Sequence, residues 1–189
     1  MKTYLNNYIN EVASNVCKSD IEILGKIAEF IINTKKTNSR IFTAGNGGSA
    51  ATASHITNDL LKGCRVGSNT GFAAFSLNDS VPIITCLAND FSYDEVYSIQ
   101  LETYGQKGDL LIVFSGSGNS RNIVNAVKKA KEMGIVTVGF TGRDGGELKH
   151  LCDMLIIAPT KSMEQIEDIH MIYEHALVSY IQEALKELV

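Results

Sequence analysis

The sequence predicts a single α/β domain built on a parallel sheet with helices over both faces. Three observations carry this expectation. Short β-branched runs alternate with stretches of helical periodicity along the whole chain. Two Gly/Ser-rich segments each fall between the end of such a run and the start of a helix, as the ligand loops of open parallel sheets do. A chain of 189 residues, 44% hydrophobic and 20% charged, is long enough to close one sizeable core and short for two.

The elements follow in chain order. Leu5, Tyr8, Ile9 and Val12 recur at helical spacing, and a second amphipathic stretch, Ile21 to Ile32, follows the capping-type pair Ser19-Asp20. Arg40 to Ala44 reads as a buried strand running into Gly45-Asn46-Gly47-Gly48-Ser49 and the helical stretch Ala50 to Lys62. Strand-like Gly71 to Leu77 and Ile83 to Ala88 come next, then a helix from about Tyr93 to Tyr104 and the strand Leu110 to Phe114. Ser115-Gly116-Ser117-Gly118-Asn119-Ser120 leads into a helix ending near Met133-Gly134. The strand Ile135 to Phe140, a Gly-rich turn, the strand Met154 to Ala158 and a long helix from about Met163 to Leu188 complete the chain.

Composition excludes several function classes. A formal charge of −4, with a pI near 5.6 and no dense Lys/Arg stripe, leaves no electrostatic footprint for nucleic acid or an anionic membrane. The four cysteines, Cys17, Cys64, Cys86 and Cys152, form no CxxC pair, so they spell neither a zinc ribbon nor a thioredoxin-type motif, and they are expected as buried reduced thiols. No apolar run approaches bilayer length, and the expectation is a soluble, cytoplasmic protein.

An anionic ligand must therefore be held by loops and helix ends. Between a strand end and a helix start, a Gly/Ser loop offers unpaired amides, hydroxyl donors and the positive end of the helix dipole, which together suit a phosphate. In the second loop Ser115, Ser117 and Ser120 can each donate while the glycines let the backbone approach the anion. No P-loop lysine follows, so a monophosphate fits better than a triphosphate. Either loop alone is as readily a tight turn, but two at one sheet edge favour a site. In the first loop Asn46 and Ser49 are suited to orienting sugar hydroxyls.

Five ordered blocks carry a family resemblance: GNGGSAATASH, LANDFSYDEVY, SGSGNSRNIVNAVKKAKEMG, TGRDGGEL and IEDIHMIYEH. With them the chain resembles the sedoheptulose-7-phosphate (phosphoheptose) isomerases of the SIS-domain family over nearly its whole length. The resemblance implies one SIS domain over residues 1–189, with a five-stranded parallel sheet in 37–189 and N-terminal helices in 1–36 used in oligomerisation. It further implies a homotetramer and a ketose–aldose isomerase converting sedoheptulose 7-phosphate to glycero-manno-heptose 7-phosphate for surface-glycan synthesis.

Position by position, the resemblance makes Ser115, Gly116, Ser117 and Ser120 the phosphate loop. Gly116 stands where the family usually has a hydroxyl residue. Sugar contacts fall to Asn46, Gly47, Gly48, Ser49, Asn89, Asp90 and Glu167. The family's His and Glu four residues apart become His55 and Asp59, on one helix face. Its Gln and His eight residues apart on the closing helix become Glu167 and His175. Members often hold zinc with these four side chains, so His55, Asp59, Glu167 and His175 are the implied ligands, a set acceptable to zinc. Eight residues on a straight helix span about 12 Å, a long reach for one ion. Asp59 is the implied base that moves a proton between neighbouring carbons, and His175 its acid partner.

Blander readings stand beside these. A His–Asp pair at helical spacing is commonly a surface pair, and Glu167 lies in the acidic run Glu164 to Asp168, where charge is often merely solvated. His170 is expected to pack or pair locally, Arg143 and Asp144 to serve a turn, and the Tyr and Phe residues to fill the core. Two other functions remain open. One is a non-catalytic SIS adaptor resembling the DnaA-initiator-associating regulator, a class that generally lacks the acid–base set retained here. The other is an isomerase or sensor of a different sugar phosphate.

Overall fold

The computed structural model describes residues 1–67 and 70–187. Two helices open the chain, α1 (Lys2–Val16) and α2 (Ile21–Thr37). Asp20 caps α2, its carboxylate accepting from the amides of Glu22 at 3.1 Å and Ile23 at 3.3 Å. Then come β1 (Ile41–Gly45), α3 (Gly48–Asn58), β2 (Ala74–Ser76), α4 (Val81–Asp90), α5 (Ser98–Tyr104), β3 (Leu110–Ser115) and α6 (Arg121–Glu132). The chain closes with β4 (Val136–Gly142), β5 (Met154–Ala158) and α7 (Met163–Glu187). Leu188, where the sequence reading ends the last helix, lies outside the described residues.

All five strands are parallel, in the order β2-β1-β3-β4-β5. Every residue of β1 and β3 is buried, as strands covered on both faces must be. Their side chains alternate between two cores. Ile41, Leu110, Ile112 and Phe114 pack with the layer that holds Ile27, Ala53 and Ile169, from α2, α3 and α7. Phe42, Ala44, Leu111 and Val113 pack with Leu101 of α5 and Ile123 of α6.

The strand order positions the site. From β1 the chain passes outward to β2, then returns to lay β3 on the other side of β1, so connections leave these neighbours in opposite directions. A crevice opens where they part, beyond the carboxyl ends of β1 and β3. The register pairs Gly45 with Phe114, so both glycine loops start at the same level there.

Four expectations need correction. Ile83 to Ala88 is not a strand but the middle of α4, because Ser80 caps a helix start with its hydroxyl on the Ile83 amide, and Pro82 sits in the first turn. The apolar run that suggested a core strand has no buried residue at all. Within Gly71 to Leu77 only Ala74–Ser76 is strand, and the helix expected from Tyr93 to Tyr104 is a single 3-10 turn, Tyr93–Glu95, followed by α5. The thiols are all free, but only Cys64 is buried. Cys152 is half-buried, while Cys17 at the end of α1 and Cys86 on α4 face solvent.

Candidate active site

The β1–α3 loop is held rigid by amides and phenols. Asn46 and Asn122 exchange reciprocal side-chain hydrogen bonds, both 2.9 Å, which tie the loop to the first turn of α6. Tyr93 and Tyr97 donate to Asn46 Oδ1 at 3.0 and 3.3 Å. Tyr97 also donates to the Gly45 carbonyl at 2.6 Å, and Asn78 donates to the same oxygen at 2.8 Å. Burial pushes the Tyr97 phenol up to about 12, so it stays a donor at any working pH. Gly47, at φ 57°, adopts a backbone open to few residues but glycine and turns the chain into α3, where Ser49 is buried in the first turn.

The β3–α6 loop is shaped for an anion. Ser115 is buried and donates to Ser120 Oγ at 3.4 Å, and Ser117 Oγ accepts from the Asn119 amide at 3.2 Å. Ser120 occupies the N-cap of α6 without bonding its own helix through its side chain, so the first-turn amides have no side-chain acceptor from the cap. Arg143, Asp144 and Lys161 border a cavity of about 560 Å³ that begins at Ser117 and Asn119. Asp144 is a turn residue as expected, its carboxylate accepting from the Gly146 amide at 3.2 Å. Asn89 and Asp90 end α4 in the open, with Asn89 donating to Asp90 at 2.8 Å.

The start of α7 lies between the two loops. A Cβ at Gly116 would lie 2.5 Å from Met163 Sδ, so the start of α7 packs against the second loop. A Cβ at Gly48 would lie 2.5 and 2.7 Å from the two carboxylate oxygens of Glu167, so Glu167 rests directly against the first loop.

Farther along the same two helices the ionisable side chains converge. His175 Nε2 stands 3.2 Å from His55 Nε2, His55 Nε2 stands 3.4 Å from Asp59 Oδ2, and Glu174 Oε2 stands 3.5 Å from His175 Nε2. One ligand atom from each of these four residues lies within 4.8 Å of all the others. The imidazoles are open to solvent, with side chains 41% and 56% exposed, whereas the Glu174 side chain is fully buried beneath them. Desolvation, reinforced by the nearby Asp59 charge, pushes Glu174 up to about 8. Asp59 opens a π-helical turn, Asp59–Gly63, where the helix widens, and its shorter side chain still reaches His55.

Comparison with known proteins shows the family. The SIS domain pattern matches residues 3–142. A phosphoheptose isomerase of Aliarcobacter butzleri is 37% identical over 175 residues, covering 93% of this chain and 92% of its own. The chain belongs to the SIS-domain phosphoheptose isomerase family. Another phosphoheptose isomerase, from Aneurinibacillus thermoaerophilus, is 32% identical over 186 residues, covering 98% of this chain and 93% of its own. The solved structure of phosphoheptose isomerase from Neisseria gonorrhoeae superposes with a TM-score of 0.88 at 29% identity, covering 96% of each chain.

Among the family's positions, His55, Asp59 and His175 come together, while Glu167 does not join them. The sequence reading missed Glu174, which takes the fourth place in the cluster. It also missed Asn78, Asn122 and the hydroxyls of Tyr93 and Tyr97, which fix the first loop, and Lys161 beside the second. A signal for Glu174 did exist. It falls on the buried stripe of α7 with Ile166, Ile169, His170, Tyr173, Leu177 and Val178, where an acid is out of place. The donor set suits zinc. A tetrahedral ion with bonds of about 2.0–2.1 Å needs ligand atoms about 3.3–3.4 Å apart, close to the three separations of 3.2, 3.4 and 3.5 Å.

Proposed function

We propose that this chain interconverts sedoheptulose 7-phosphate and D-glycero-D-manno-heptose 7-phosphate through an enediol, supplying heptose for surface glycans. The observation that carries the reading is an acid–base cluster two helical turns along α3 from the first glycine loop, which starts level with the phosphate-type loop at the same sheet edge. Along α3, the seven residues from Gly48 to His55 rise about 10 Å, a span suited to a long sugar phosphate rather than a triose phosphate. The ester group sits on the amides and hydroxyls of Ser115 to Ser120, with Arg143 and Lys161 adding positive charge at the cavity. Asn46, Gly47, Gly48, Ser49, Asn89, Asp90 and Glu167 face the carbon chain.

Asp59 takes the proton from one carbon and returns it to its neighbour, while His175 moves the hydroxyl proton. His55, Asp59 and His175 are the residues that would hold zinc. A bound ion would supply positive charge that stabilises negative charge developing on oxygen. Asp59 has two carboxylate oxygens, so holding an ion would leave one free to carry the proton.

A homotetramer in the cytoplasm completes the proposal. What supports an interface between copies is the set of apolar side chains that the first 36 residues turn to the surface, with Tyr4, Leu5, Ile9 and Ile21 53–73% exposed. The test incubates purified protein with sedoheptulose 7-phosphate and follows aldose formation. Turnover in the wild type should fall about 10²–10⁴-fold in Asp59→Ala and in His175→Ala. No turnover in the wild type, with or without zinc, would return the chain to the class of non-catalytic SIS adaptors.

A further inference from the structure

We infer that Glu174 is the fourth ligand of the metal centre, completing the set His55, Asp59 and His175, and that Glu167 belongs instead to the loop end of the crevice. The inference rests on the metal-dependent reading above and changes which side chain completes it. Three contacts show how α3 and α7 lie against each other. Glu167 meets Gly48, His175 meets His55, and Gln182 donates to the Gly63 carbonyl at 3.1 Å. The steps between contacts are seven, then eight residues on the first strand of this ladder, and eight, then seven on the second, so the two helices run side by side in the same direction. Eight residues of helix carry Glu167 about 12 Å from His175, and its carboxylate is turned onto Gly48 and stands outside the cluster. Position 167 therefore cannot complete the cluster while its carboxylate rests on Gly48.

Glu174 has what position 167 lacks. It adjoins His175 on the same turn, its side chain is fully buried, and among the described residues neither carboxylate oxygen has a hydrogen-bond partner. A buried carboxylate without a partner is costly, and two imidazoles with a second carboxylate, all within 4.8 Å, make the setting a cation would resolve. Two carboxylates also balance the charge of a divalent ion, and two nitrogen with two oxygen donors suit zinc. Glu174 lies on the buried side of the cluster and the two imidazoles on its solvent side.

The test compares wild type, Glu174→Gln, Glu174→Met and Glu167→Gln. Each protein is stripped of metal, checked for fold by circular dichroism, and titrated with zinc in competition with a chromophoric chelator. The wild type should bind one equivalent per chain. Both Glu174 variants should bind at least about a hundredfold more weakly, beyond the 10–100-fold typical of an outer-shell partner. Glu167→Gln should keep wild-type affinity. Without metal, Glu174→Met should melt above the wild type, because a buried polar group without a hydrogen-bond partner is gone, and zinc should no longer raise its melting temperature. Wild-type affinity in either Glu174 variant, an equal loss in Glu167→Gln, or no zinc uptake by the wild type overturns the inference. Turnover of sedoheptulose 7-phosphate on the same samples separates the two readings. Glu174-dependent zinc binding without turnover sinks only the isomerase, and turnover by a chain that takes up no zinc sinks only the metal centre.

Discussion

Acid should destabilise this protein through His170, and the size of the effect follows from its surroundings. The imidazole is 1% exposed, lies 5.9 Å from the Phe114 ring and 6.1 Å from Phe140, and places Nε2 2.9 Å from the Thr141 carbonyl. That nitrogen therefore carries the hydrogen and donates. Burial lowers the pKa from 6.5 to about 4, with the carbonyl contact opposing in part. Between those values the unfolded chain binds a proton that the folded chain does not. Stability from this group is complete above pH 6.5 and is lost as the pH falls toward 4. From pH 7 to pH 5 the loss is about 2 kcal/mol, roughly twentyfold in the unfolding constant. The assay is urea unfolding at both pH values for wild type and His170→Gln. The variant is less stable throughout, but its loss between pH 7 and pH 5 should be smaller than the wild-type loss by about 2 kcal/mol. Carboxylates titrate alike in both proteins and cancel in that difference. Equal losses would refute the assignment, as would a His170 imidazole resonance that titrates near pH 6.5 in the folded protein.

Three further outcomes follow from particular contacts. Asp109, buried, accepts from the amides of Arg40 at 2.8 Å and Gln106 at 2.9 Å and pairs with Arg40 Nε at 3.2 Å, so Asp109→Ala should cost about 3 kcal/mol in urea unfolding. A cost below about 1 kcal/mol would mean that water replaces those bonds. Gly118 has φ 67° and lies so close to Gly145 that a Cβ would overlap its carbonyl oxygen; Gly118→Ala should lose about 1–2 kcal/mol or more and weaken phosphate binding, read by thermal melting with and without inorganic phosphate. Ser117→Ala removes one donor from the phosphate loop, so KM for the sugar phosphate should rise about tenfold or more while kcat holds, and a fall in kcat alone would contradict the role.

Periodicity made most of the architecture legible. Leu110 to Phe114 and Met154 to Ala158 are strands within a residue of where their β-branched runs place them, and the α7 stripe is continuous enough to mark a long helix. The chain misled at Ile83 to Ala88, where β-branched composition outweighed the start signal of Ser80 and Pro82 in the reading. Composition reports what a segment prefers to bury, and α4 only half-buries Ile84, Leu87 and Ala88 against the core, so the local cap prevailed. His170 and Glu174 were both visible as polar residues on the apolar stripe of α7, yet the stripe alone does not say what lies opposite.

By itself the sequence determined the alternation of strands and helices and the two Gly/Ser loops, because these are written in local spacing, while the acid–base residues were named only through the family resemblance. Only the tertiary structure decided which residues meet. The order β2-β1-β3-β4-β5 brings loops 70 residues apart to one crevice, with Gly45 in register with Phe114. The parallel run of α3 and α7 sets Glu167 against Gly48 and closes Glu174 with His55, Asp59 and His175. The physical reason is that a helix fixes the spacing of its own side chains, whereas the neighbour each one reaches depends on how far one helix is shifted along the other, a quantity held by packing across the whole core.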